Sequence, residues 1–159
     1  AFWSMSLLRL GPQDVPRSHV LLGLVTGLNL LVSVAINRLQ LELPAAFLVA
    51  LLELTVLGGL TSTLLYYFRR LPRLAQTLTA FMGTGAVVGL LVLVVLTVFP
   101  RIPQLLRLAI FAWNLLIMAH ILRHALGIHL LAGFLIALGY AITLVQLIWF
   151  VDGLLGVAP

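Results

Sequence analysis

Five apolar stretches, at about residues 18–37, 44–68, 77–99, 105–126 and 130–151, each run close to the roughly 20 residues a helix needs to cross a bilayer. No other feature constrains the chain so strongly. In hydrocarbon every backbone N–H and C=O must be satisfied internally, and long helices achieve that within one segment. The expected fold is therefore all-α: a five-transmembrane-helix bundle at 18–151, preceded by a short N-terminal interfacial segment at 1–17 and followed by a short tail at 152–159. Composition agrees, since 63% of the 159 residues are hydrophobic, 8% are charged and the mean hydropathy is +1.23. A soluble domain carries about 25% charged residues, so this chain has too few to cover a water-facing surface.

The breaks between the stretches carry turn chemistry. Pro12 and Pro16 interrupt the first eighteen residues, which also argues against a cleavable signal peptide there. Residues 1–10 (AFWSMSLLRL) are too short to span and are expected to lie as an interfacial helix, with Trp3 at headgroup level. Ser18 is a plausible N-cap for the first span. Pro44 sits in the first turn of the second, where proline is tolerated. Tyr66, Tyr67 and Phe68 close the second span as an aromatic belt, and Trp149 and Phe150 anchor the fifth.

All nine basic residues are arginine, and they cluster at span ends. In a soluble protein a net charge of +5 would suggest nucleic acid; here it points to membrane surfaces, and no nucleic-acid partner is expected. With the N-terminus in the cytoplasm, Arg9, Arg17, Arg69, Arg70, Arg73 and Arg123 face that side, against Arg38, Arg101 and Arg107 opposite. Six against three satisfies the positive-inside bias and predicts N-in, C-out. The all-arginine usage suggests a bacterial source, and hence an inner (cytoplasmic) membrane. Arg69, Arg70 and Arg73, in the most basic loop, are the expected contacts for lipid or a cytoplasmic partner.

Few residues could carry chemistry. The absence of cysteine removes disulfides, thiolate catalysis and Cys-ligated metals. Glu53 lies inside the second span, some nine residues from its outer end, where an ionised carboxylate costs several kcal/mol unless water reaches it. It should face the bundle, carry a proton or pair with polar groups. Asn29 and Asn114 lie at a similar depth in spans one and four, so a polar cluster of Asn29, Glu53 and Asn114 is predicted. It would serve as a relay or ligand anchor, or as interhelical glue worth about 0.6 kcal/mol per hydrogen bond. His120 and His124 share a helix face and raise a metal or haem ligand set, but they lack the third and fourth ligands that zinc sites use. His19 and His129 are the only other histidines, both near span ends. At a wet boundary these side chains have a plainer role beside Arg123. Gly23/Gly27 and Gly85/Gly89 form GxxxG pairs, while Gly58, Gly59, Gly133 and Gly139 mark other spans; close internal packing is expected. No Ser–His–Asp set, carboxylate pair or nucleophile elbow occurs, so neither an enzyme nor a cofactor is expected.

Three stretches resemble the Yip1 family of integral membrane proteins, in its small bacterial members: LLRLGPQDVPRS before the first span, RRLPRLAQTLTAFMGTGAVVGLL through the third, and FAWNLLIMAHILRHALGI in the fourth. The resemblance implies a short cytoplasmic N-terminus, five spans and no catalytic residues. It does not bring the trafficking role of eukaryotic relatives, whose longer N-terminal region is missing here. The expected function is a non-enzymatic accessory or scaffold subunit of a larger inner-membrane complex, in contact with lipid and other membrane subunits. The alternatives are a small proton-coupled transporter or channel component using Glu53, and a quinone- or haem-associated subunit using His120 and His124.

Overall fold

The computed structural model describes residues 2–99 and 102–155, the last five as backbone only. It is all-α, with no strand among the described residues. A short helix α1 (Phe2–Ser6) precedes five long ones: α2 (His19–Asn37), α3 (Leu43–Tyr67), α4 (Leu74–Val98), α5 (Gln104–Leu126) and α6 (Leu130–Leu155). Among the described residues five helices are long and apolar enough to cross a membrane.

The local chemistry explains most boundaries. The Ser18 hydroxyl accepts from the Leu21 N–H at 3.2 Å and caps α2. Pro44 occupies the first turn of α3. Gly127, at φ 72°, takes the left-handed conformation that ends α5 and that other residues adopt only at a cost. Two helices are longer than expected. α4 starts at Leu74, three residues before the expected Thr77, because a 3₁₀ turn at Leu71–Arg73 feeds straight into it. Gln76, expected to precede the helix, lies within its first turn, with its side chain bonded to Val15 and Arg17. α6 continues through Asp152 to Leu155, past the expected end at 151. The rest of the expected tail, 156–159, lies outside the described residues, as does Arg101 of the orientation count.

The tightest pairing is α2 against α4, and close glycines permit it. A Cβ on Gly85 would stand 2.6 Å from Asn29 Oδ1, and one on Gly89 would stand 2.7 Å from a Val32 methyl. Gly133 plays the same part between α6 and α5, where a Cβ would meet the Ala119 carbonyl oxygen at 2.6 Å. Gly23, Gly27, Gly58, Gly59 and Gly139 have no neighbour within 4 Å of that position, so the GxxxG pair of α2 makes no internal contact. Val20, Leu24 and Leu31 on α2, and Leu131 and Leu135 on α6, point outward as a lipid-facing belt should. The belt residues Tyr66, Tyr67, Trp149 and Phe150 are exposed.

The N-terminal segment includes the expected short helix, and the segment packs into the bundle. Met5 and Ser6 are fully buried, Phe2 packs against Gly83 of α4, and within α1 only Trp3 is exposed. Polar bonds hold the segment in place along its length. Trp113 Nε1 donates to the Ser6 carbonyl at 3.1 Å, and a His120 ring nitrogen lies 3.3 Å from the Leu10 carbonyl. Gln76 donates to the Val15 carbonyl at 2.9 Å and accepts from Arg17 at 3.2 Å. Segment 2–15 therefore works as a wedge against α4 and α5. The physical reason is that α4 and α5 touch each other only sparsely, leaving a cleft that large apolar side chains fill.

Candidate functional site: a chamber among the five long helices

The five long helices line a half-open cavity of about 280 Å³, with Asn114 and Phe111 at its exposed side. α2 contributes Asn29, α3 contributes Glu53, and α5 contributes Asn114, so the three residues at matched depth line one chamber. They do not hydrogen-bond to one another. Asn29 Nδ2 points to the Met82 sulfur at 3.7 Å, and Asn114 Nδ2 donates to the Ile110 carbonyl of its own helix at 3.1 Å.

Glu53 is held from α2. One carboxylate oxygen accepts from the Ser33 hydroxyl, and the other faces Asn37 Nδ2 at 3.5 Å. Asn29, Ser33 and Asn37 recur every four residues, so they form a polar ladder along one face of α2. The ladder runs from the end of the helix, past Glu53, to the chamber. Ser33 and Asn37 were missed as partners because Asn37 was read as the end of a span. The four-residue repeat in the sequence was the signal available.

The rest of the lining is mainly apolar. Leu57, Val88, Leu115 and Leu144 form walls, together with the aromatic side chains of Phe81, Phe111 and Tyr140. The Tyr140 hydroxyl pairs with Thr61 at 3.1 Å, a buried bond between α6 and α3. The Thr84 hydroxyl bonds back to the Ala80 carbonyl at 2.7 Å, so it presents little polarity to the chamber. Among the described residues no buried side-chain nitrogen or oxygen lacks a partner.

The histidines lie elsewhere. His120 and His124 stack edge-to-face, with ring centroids 4.5 Å apart, as their spacing implies. One nitrogen of His120 is taken by the Leu10 carbonyl. No group of three or more metal-ligating side chains occurs among the described residues. The pair adjoins the wedge rather than an open haem-sized space. In the basic loop, Arg73 turns inward and donates to the His124 carbonyl at 3.0 Å and the Ala125 carbonyl at 3.4 Å, satisfying two last-turn acceptors of α5. Arg69 and Arg70 are exposed.

Fold and chamber together define a class, the multi-pass helical membrane protein. Comparison with protein-family models, curated proteins and solved structures returned no match.

Proposed function

We propose that this chain is a non-enzymatic component of a membrane transport or channel assembly, with the chamber as its solute site and Glu53 as the charged group that governs passage. The observation that carries this reading is the position of Glu53. It stands where the Asn29–Ser33–Asn37 ladder meets a chamber lined by all five long helices. Ionisable groups at membrane depth are costly, and they concentrate where a solute or proton moves. Purified protein in liposomes should dissipate an imposed pH gradient, and Glu53→Gln should bring the rate down to that of protein-free vesicles. Equal rates for the two proteins would remove the reading.

The accessory-subunit reading draws on a separate observation. Arg69 and Arg70 are exposed, whereas their neighbour Arg73 is consumed internally. Two cations are thus left for a partner subunit or for anionic headgroups on the proposed cytoplasmic side of a bacterial inner membrane. The Yip1 resemblance belongs to this proposal, as does the N-in orientation. Copurification of a stable membrane partner that Arg69→Ala/Arg70→Ala releases is the expected result, and a lone monomer in mild detergent counts against it.

A further inference from the structure

Among the polar groups of the chamber, unused acceptor positions outnumber unused donors. Asn114 spends one of its two amide N–H groups on the Ile110 carbonyl. A carbonyl oxygen accepts only from a donor, which fixes the amide orientation and leaves Oδ1 unused. Asn29 directs one N–H to the Met82 sulfur, so its Oδ1 is likewise left as an acceptor, and each amide keeps one further N–H. Glu53 accepts from Ser33 and Asn37, yet a carboxylate has about four lone-pair positions, so acceptor capacity remains.

Counter-charge is missing. The sequence contains no lysine, no arginine lines the chamber, and the one salt bridge among the described residues is Arg38–Glu42, at the far end of α2. An acidic group in apolar surroundings is stabilised by a cation that also donates hydrogen bonds. Phe81, Phe111 and Tyr140 also line the chamber, and aromatic rings attract positive charge over their faces. The volume, about 280 Å³, sits at the lower edge of the roughly 300–1,000 Å³ typical of small-molecule sites.

The geometry points to a small organic ammonium ion with an apolar body as the ligand class, its N–H groups on Glu53, Asn29 and Asn114 and its hydrocarbon against Leu57, Leu115 and Leu144. This assignment rests on the chamber being the solute site, as proposed above.

The test is equilibrium binding to the full chain in nanodiscs of zwitterionic lipid, with empty nanodiscs subtracted. Four probes of matched chain length separate the chemistry: n-hexylammonium, n-hexyltrimethylammonium, hexan-1-ol and hexanoate. Hexylammonium should bind saturably. The trimethyl analogue, which has no N–H, should bind about tenfold more weakly, and hexanoate should not bind. Glu53→Gln should weaken hexylammonium by about tenfold or more while leaving hexanol binding in place, which shows that the variant is folded. Asn114→Leu, which leaves Glu53 and its α2 partners untouched, should cost several-fold. Ala141→Phe, which fills the chamber, should abolish binding of every probe.

Hexylammonium that binds no tighter than hexanol, or that binds Glu53→Gln unchanged, overturns the ammonium assignment. If Ala141→Phe still removes hexanol in that case, the solute-site reading survives. Saturable binding that Ala141→Phe leaves intact, or none by any probe, overturns both.

Discussion

Single residues in this bundle act mainly through which partner they keep. Thr61 and Tyr140 satisfy each other across α3 and α6 with both side chains buried. Replacing Thr61 by Val leaves a phenol without its bond, and Tyr140→Phe leaves the threonine hydroxyl in the same position. In a double-mutant cycle the pair should show a coupling of about 0.6 kcal/mol, with an upper range near 1.7 kcal/mol. Reversible unfolding in mixed micelles measures it, and additive single effects would show that the bond contributes nothing. Glu53 was legible as an anomaly because a charge stands out in an apolar span. Its partners were harder to name. Depth counting brought Asn29 and Asn114 to the same level, but it contains no azimuth, and azimuth decides that Ser33 and Asn37 hold the carboxylate.

Helix pairs differ in how closely their backbones approach, and glycine position reports the difference. Gly133→Ala drives a methyl into the Ala119 carbonyl, backbone against backbone, so neither side yields easily. It should destabilise by about 1–3 kcal/mol, as overpacking does. Gly139→Ala, on the same helix with open space around it, should be neutral or stabilising by up to about 1 kcal/mol through helix propensity. A thermal melt of the two variants side by side checks the ordering; equal effects would refute it. The sequence showed six span glycines or glycine pairs without ranking them, since which face of a helix meets a neighbour is settled by the partner. Spans themselves were far more legible. Apolar length and proline placement gave all five helices to within a few residues, because the bilayer demands length and composition rather than specific contacts.

Across the whole molecule, two placements can be tested with single cysteines, and the natural absence of cysteine makes the labelling clean. If the N-terminus is cytoplasmic, Arg69→Cys should react with an impermeant maleimide only from the cytoplasmic side, and Arg38→Cys only from the opposite side. The same pattern reversed would invert the proposed topology. For the wedge, Met5→Cys should be strongly protected, while Leu8→Cys should label readily, since Met5 is 0% exposed and Leu8 is 39% exposed. Equal rates would place the segment on the surface. The wedge was the least legible part of the fold. Its sequence is short and apolar, which fits an interfacial helix equally well, and its acceptors are backbone carbonyls, which every residue possesses.

The wedge also sets an order of events during synthesis. Its bond from Ser6 to Trp113 spans 107 residues. At translation speeds of about 5–20 residues per second, the partner is made roughly 5–20 s after the segment itself. For that interval residues 2–15 have no α4 or α5 to receive them. A segment made before every helix it packs on is therefore among the last to reach its place, and completing the bundle is a step that closes over already inserted helices.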